Sequence, residues 1–459
     1  SGRAVLFAGA VVCIALLGMI ALGLGILTGL GVAASIGVLF TMATSLTLLP
    51  ALLGFFGHRV LSRRQRRALA AGDVLTDTGL WWRWSRLIAR RPLAPAATAL
   101  AILITLAIPF FSLRLGNPDA GNDPASSTTR QAYDLLAKGF GAGFNGPLQV
   151  AVQADTTAQK QALTTVTAAI AKDPGVAKVS APQVLTTNGN TQISAFQIFP
   201  TSSPQSAATS NLVTRLRHHV IPPAETGTGI HVYIGGQTAT NVDFASVLAS
   251  KMPLFVGLVV LLSFLLLMLV FRSLLIPLTA ALMNLLSAGA ALGVLSAVYV
   301  WGWGGSLLGA NSGGPIAAFI PVMLFAILFG LSMDYQVFLV SRMQEEFHRS
   351  GDNTDAVTRG LAITGRTIIA AALIMILVFG SFILGGQQVI KEFGLGLAVA
   401  VAVDAFLIRI AVVPAIMFLL GRTNWWLPSP LSRVLPRLPM EEEPGLSAGD
   451  IRPLPAATH

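Results

Sequence analysis

The chain has 459 residues, of which 54% are hydrophobic and only 11% charged, and its formal charge is +10. Soluble domains carry about 25% charged residues, so an ordinary soluble protein is excluded and an integral membrane protein is indicated. The excess of Arg would suggest nucleic acid in a soluble protein, but here it gathers at the ends of apolar runs, where it sets orientation instead.

Runs of about 20 apolar residues read as membrane spans. Eight are expected, near 4–24, 30–56, 93–113, 252–271, 274–300, 316–340, 367–385 and 393–420. The uncharged run from Ala4 to Gly57 is far longer than the apolar core of a signal peptide, about 7–15 residues. Within it, a tight turn near Thr28 and Gly29 is expected to separate the first two spans. The one cysteine, Cys13, lies in this run, reads as a small buried hydrophobe, and leaves no disulfide framework. His58–Arg91 follows with nine Arg against Asp73 and Asp77. Arg272, the Arg342–Arg366 connection and Arg422 fall on the same side if each span crosses once. By the positive-inside rule that side is cytoplasmic, as are both termini.

Arg114–Lys251 is the one large segment outside the spans, and it falls on the opposite side. Leu148–Ala154 and Ile193–Phe199 alternate with period 2. Thr156–Lys172 and Ser206–Val220 are helix-like, and Tyr233–Gly236 ends a further strand. This order predicts a small external α/β subdomain, with a helix from Thr238 running into the membrane. Its charges nearly balance and name no ligand. His218, His219 and His231 lie in it, but zinc needs three or four ligands in defined geometry, so they read as solvent-facing or hydrogen-bonded. Between the fifth and sixth spans, Trp301–Gly314 is a glycine-broken loop whose two Trp suit a membrane interface. Past Thr423 the chain is rich in Pro, carries Glu441–Glu443 and has no core-forming period, so a disordered cytoplasmic tail is expected.

The stretch Phe325–Arg342, FAILFGLSMDYQVFLVSR, places Asp334 and Tyr335 inside an apolar helix. No Asp, Glu, Lys or Arg occurs from Ser273 to Met333. At about 1.5 Å per residue, Asp334 lies roughly 12 Å inside Arg342, near the bilayer middle. A carboxylate there costs on the order of 3 kcal/mol, so it holds a proton or finds a partner. Such a group can carry protons across a membrane. Asp404 and Arg409 form a second intramembrane charge site in the last span. Five residues apart, they stand about 140° apart on an α-helix and are expected to meet through a neighbouring span, with Asp334 a candidate third member.

A repeat accompanies these charges. Ser1–Arg3 opens two spans ending in Leu49-Pro50-Ala51-Leu52, and Thr364–Arg366 opens two ending in Val413-Pro414-Ala415-Ile416. A Gly-Leu-Gly recurs between the spans at Gly29–Gly31 and Gly394–Gly396. Parallel repeats are a transporter feature. Aligning Pro50 with Pro414 sets Asp404 opposite Phe40 and Arg409 opposite Ser45, so both charges belong to the second copy alone.

FGLSMDYQVFLVSR at Phe329–Arg342 resembles the signature of the MMPL transporters, a branch of the resistance–nodulation–division superfamily. FRSLLIP at Phe271–Pro277, MNLLSAGAALGVL at Met283–Leu295, TGRTI at Thr364–Ile368, GGQTATNVDF at Gly235–Phe244 and the segment from Asp404 to Pro428 are similar to the family as well. The resemblance implies twelve spans in two halves, each with an outward porter domain after its first span. On that scheme 1–57 holds the last two spans of the first half, 58–92 a basic cytoplasmic linker and 93–113 a span. Residues 114–251 form the porter domain, 252–422 a five-helix bundle and 423–459 the tail. A missing N-terminal half would hold the usual partners of Asp334 and Tyr335. The resemblance further implies proton-driven export of lipids, lipid-linked metabolites or hydrophobic drugs across a bacterial cytoplasmic membrane, with Asp334 and Tyr335 as the proton relay. Homo-oligomerisation is left open. The competing reading is a non-transporting assembly partner, receptor-like protein or inactive fragment. An enzyme has little support: there is no phosphate-binding Gly-x-x-x-x-Gly-Lys, no metal-ligand spacing and no Ser/His/Asp grouping, and no cofactor is expected.

Overall fold

The computed structural model describes residues 2–57, 79–188, 191–305, 313–428 and 431. Helix α1 (Gly2–Leu17) ends in a 3-10 turn, Gly18–Leu22, and α2 spans Gly25–Phe56. The break between them is at Gly23, whose φ of 66° closes α1 in the left-handed region. Thr28 and Gly29, where the sequence placed the turn, lie inside α2. Glycine alone takes that backbone without strain, and this run offers several glycines.

Helix α3 (Leu80–Arg90) is amphipathic, burying Ser85 and Ile88, and lies in the segment read as linker; residues 58–78 are outside the described part. Helix α4 (Leu93–Ala107) continues as a 3-10 segment to Ser112 and leads into the short strand β1 (Leu115–Gly116). The outer domain follows: α5 (Thr128–Phe140), β2 (Leu148–Gln153), α6 (Thr157–Ala171), β3 (Val176–Val179), β4 (Gln183–Asn188), β5 (Thr191–Pro200), α7 (Ala207–Arg215), α8 (Ile221–Glu225) and β6 (Val232–Gly235).

Five of these strands make one antiparallel sheet in the order β3-β5-β2-β6, with β4 also paired to β5. The period-2 alternation read in Leu148–Ala154 is realised: Leu148, Val150 and Val152 face inward and pack with Val166, Ile170, Leu212 and Leu216 of the covering helices. Helix α6 starts with a capping box between Thr156 and Gln159. Asp173, just past α6, receives a bidentate pair from Arg215 at 2.6 and 2.7 Å and the Gly175 N–H at 2.8 Å. Strands β3 and β4 and helix α5 were not singled out in the sequence; they are short or lack a clean alternation.

The bundle is made by α9 (Gly236–Phe271), α10 (Leu275–Leu295, ending in a π segment to Val300), β7 (Ile316–Ala317), α11 (Ile320–Ser350) and α12 (Asn353–Ser381). The last span comprises α13 (Gln388–Ala402), a π-helical stretch (Val403–Val412), α14 (Val413–Leu420) and a 3-10 turn to Trp425. As expected, α9 rises from the outer domain and enters the bundle without a break. Among the described residues seven helices are long and apolar enough to cross a membrane; a shorter apolar stretch, Gly9–Leu22, stands where the first of eight spans was expected.

Helix α11 is central. It packs on α1 and on α12, the two helices that open the repeat copies. Its end is fixed locally: Gly351 closes it in the left-handed region, and the Asp352 carboxylate caps α12 by accepting the Thr354 N–H at 2.9 Å. Residues 423–428, the start of the expected tail, are docked: the Asn424 carbonyl accepts from Ser273 Oγ at 2.6 Å, and Trp425 Nε1 donates to Asn353 Oδ1 at 3.1 Å. The remaining tail, apart from 431, lies outside the described residues.

Candidate functional site

Three spans bring polar side chains together in the apolar interior. Helix α10 supplies Asn284, α11 supplies Ser332, Asp334, Tyr335 and Gln336, and the last span supplies Asp404 and Arg409. Arg409 is 1% exposed and Asp404 2%. A guanidinium so deeply buried is tolerated only if its donors are used. Its Nε donates to Asp404 Oδ2 at 3.0 Å and its Nη1 to Gln336 Oε1 at 2.6 Å. Its Nη2 donates to Ser332 Oγ at 2.6 Å and to the Ser332 carbonyl. Ser332 and Gln336 are one helical turn apart, so both face Arg409.

The Ser332 hydroxyl lies 3.0 Å from Asp404 Oδ1 and also reaches Asn284 Oδ1, with one proton for two acceptors. Asn284 Nδ2 is buried without a partner. Turned over, that amide would donate to Ser332 and leave the serine proton for Asp404.

The direct contact between Asp404 and Arg409 corrects the expectation that they meet through a neighbouring span. Residues 403–412 wind as a π-helix, whose i→i+5 bonding brings residues five apart towards one face. The neighbouring span contributes as well, through Ser332 and Gln336, which the sequence reading missed. Their signal was present: two polar residues one turn apart, flanking Asp334 in an otherwise apolar helix.

Asp334 and Tyr335 stand beside this cluster. The Arg409 guanidinium carbon is 5.9 Å from the centre of the Tyr335 ring, and Tyr335 Oη meets Met375 Sδ of α12 at 3.6 Å. Asp334 is half-buried, and its Oδ1 is buried with no hydrogen-bond partner among the described residues. Asp334 shares a helix face with Gly330, one turn earlier. A Cβ on Gly330 would come within 3.0 Å of the Val12 backbone of α1, so this face of α11 is pressed against α1.

Trp84 Nε1 of α3 donates to the Ile410 carbonyl at 3.1 Å, holding the π segment next to Arg409. Among the described residues no three His, Cys, Asp or Glu side chains converge as a metal site would require.

The MMPL family model matches residues 1–95 and 123–438. This chain belongs to the MMPL family. The MMPL chain is 35% identical over 441 residues to membrane protein YdfJ of Bacillus subtilis, a match covering 96% of this chain and 59% of that protein. It is 33% identical over 461 residues to the heme uptake protein MmpL11 of Mycobacterium tuberculosis, covering 99% and 47%. It is 33% identical over 453 residues to the mycolic acid-containing lipids exporter MmpL11 of Mycolicibacterium smegmatis, covering 96% and 46%. The chain spans about half the length of the curated relatives it matches. It is thus a multi-pass membrane protein of a family with bacterial transporters among its members.

Proposed function

We propose that this MMPL chain forms part of a proton-driven transporter of lipids, lipid-linked metabolites or other hydrophobic molecules, with Asp334 as the group that takes up and releases the proton. The observation that carries this reading is a charge imbalance. One guanidinium, Arg409, stands beside two carboxylates, Asp404 and Asp334, and its hydrogen bonds among the described residues go to Asp404, Gln336 and Ser332. Asp334 is left with a buried oxygen, Oδ1, that has no donor among the described residues. A proton is the smallest charge that balances the site, and taking it across the membrane potential is worth about 2.3 kcal/mol per 100 mV.

In this mechanism Asp404 holds Arg409, and Ser332, Asn284 and Gln336 hold both in place. Tyr335 lies under the guanidinium and next to Asp334 in the chain, where its hydroxyl can pass or orient a proton. Neutralising Asp334 weakens its attraction to Arg409 and lets α11 shift against α1 and the last span. The Arg-rich side faces the cytoplasm, and the outer domain, 114–251, faces away from it. The names of the two MmpL11 relatives support a lipid or another large apolar cargo such as heme.

The test is transport by the full-length protein in vesicles with an imposed pH gradient, with protein level measured in the same membranes. Asp334→Asn keeps size and hydrogen-bonding capacity and is expected to abolish gradient-driven transport at normal protein level. Undiminished transport would falsify the reading.

A further inference from the structure

Strand β7 lies immediately before α11, and its two edges are used by different parts of the molecule. On one edge, Ile316 N and Ala318 N donate to Arg114 O and Gly116 O, each at 2.8 Å, which pairs β7 in parallel with β1. On the other edge, Ala317 N donates to Glu392 Oε2 at 3.0 Å. Glu392 belongs to α13, the beginning of the span that carries Asp404 and Arg409, and is 0% exposed. Its other oxygen accepts from Gln388 Nε2 at 2.7 Å.

The strand is therefore held between the outer domain and the last span. From β1 the connection continues outward: Arg114 Nη2 donates to Gln205 O at 2.9 Å, and Gln205 Nε2 donates to Asp119 Oδ1 at 2.6 Å. The close approach of the two strands depends on Gly116, where a Cβ would lie 2.7 Å from the Pro315 ring. Two of the three spans that build the intramembrane site, α11 and the last span, thus meet at β7, which pairs with β1.

A carboxylate is a costly way to satisfy one backbone N–H in an apolar interior. We propose that Glu392 is a positioning residue: it locks the last span to β7, so that a rearrangement around Arg409 moves β7 and, through β1, the outer domain. The inference rests on the proton-driven reading given above. A chain of contacts alone does not establish coupling, so the test must read coupling directly.

The full-length protein, with Cys13 and any further native cysteine replaced by Ala, carries spin labels at Lys160→Cys in the outer domain and Ser350→Cys at the far end of α11, and is reconstituted in lipid. The distance between labels is measured at neutral and acidic pH. The parent protein is expected to show a pH-dependent shift that Asp334→Asn removes. Glu392→Leu, which takes away the acceptor for Ala317 N, is expected to lose the shift while remaining folded. Gly116→Val, which forces β1 off β7 with Glu392 in place, is expected to lose it too. Glu392→Gln is expected to keep it, because its carbonyl still accepts from Ala317 and the Gln388 amide, whose Oε1 is unpartnered, can turn to match.

A normal shift in Glu392→Leu overturns the proposal, and so does a normal shift in Gly116→Val, which also decides the matter should the leucine variant fail to fold. Loss of the shift in Glu392→Gln would mean that the charge, not the bond to β7, is what acts, and would overturn it as well. No shift in the parent, or an unchanged shift in Asp334→Asn, overturns the proton-driven reading and the coupling with it.

Discussion

Arg409 bonds Asp404, five residues earlier in the same helix, at 3.0 Å, and it does so because that stretch is π-wound. The corresponding stretch of α2 in the first repeat copy is part of a regular α-helix, with Phe40 and Ser45 in place of the two charges. Helix form and charge pair therefore occur together, and each accounts for the other: the wider turn aligns the partners, and the ion pair holds the wider turn.

Asp404→Asn should therefore act mainly on stability. It leaves a buried guanidinium without its counter-charge, a change that costs about 3–5 kcal/mol in buried pairs. Thermal unfolding in detergent is expected to show a large loss, and Arg409→Leu added to Asp404→Leu should recover much of it. Full stability with lost transport would move Asp404 from the scaffold to the proton path.

Gln336→Leu removes one acceptor of a charged hydrogen bond while leaving the ion pair in place. A loss of about 1.5–3 kcal/mol is expected, smaller than for Asp404→Asn and measurable in the same unfolding series. An effect equal to that of Asp404→Asn would mean that Gln336 holds more than the guanidinium.

Tyr335→Phe keeps the ring under Arg409 and deletes the hydroxyl. Gradient-driven transport should fall but survive, in contrast to its loss in Asp334→Asn. Equal and complete losses would give the hydroxyl a proton-carrying role of its own.

In the outer domain, the bidentate Arg215 guanidinium holds the Asp173 carboxyl below the usual carboxylate range. A depressed folded value means that the pair stabilises above the unfolded value of about pH 3.9, and that this contribution fades as pH falls through the lower folded value. Asp173→Ala should cost about 1–2 kcal/mol near neutral pH, since the Arg215 side chain is 40% exposed and solvent screens the pair. The gap between parent and variant in thermal unfolding should close on acidification. A constant gap would mean that the loss lies in packing alone.

The orientation is open to a simple labelling test. Cysteines at Lys160 and Ser350 should react from opposite faces of right-side-out vesicles, Lys160 from outside. Reaction of both from one face would remove the topology.

The sequence made the spans legible because composition and length suffice for them, and it exposed β2, α6, β5 and α7 because one face of each is buried. Asp334 was legible as a lone carboxylate in an apolar helix. What lay hidden depended on backbone form and distant contacts. No α-helical spacing rule brings Asp404 over Arg409, because the rule assumes 3.6 residues per turn. Ser332 and Gln336 acquire their meaning only from a guanidinium more than 70 residues later. Glu392 reads as the polar start of a span, and nothing local reveals that it faces a strand 75 residues away.

Helix α9 runs unbroken for 36 residues from the last strand of the outer sheet to Arg272, about 54 Å at helical rise and well beyond a hydrocarbon core of about 30 Å. It stays continuous through an interior proline, Pro253, so the outer domain stands on a helix and does not hang from a tether. Lys251 braces that helix against the end of α1, its Nζ donating to Leu22 O at 2.6 Å. For a rod of this length, a tilt of about 5° at the foot sweeps the head by about 5 Å. The length of α9 would thus multiply a small rotation at its foot into a larger displacement of the domain at its head.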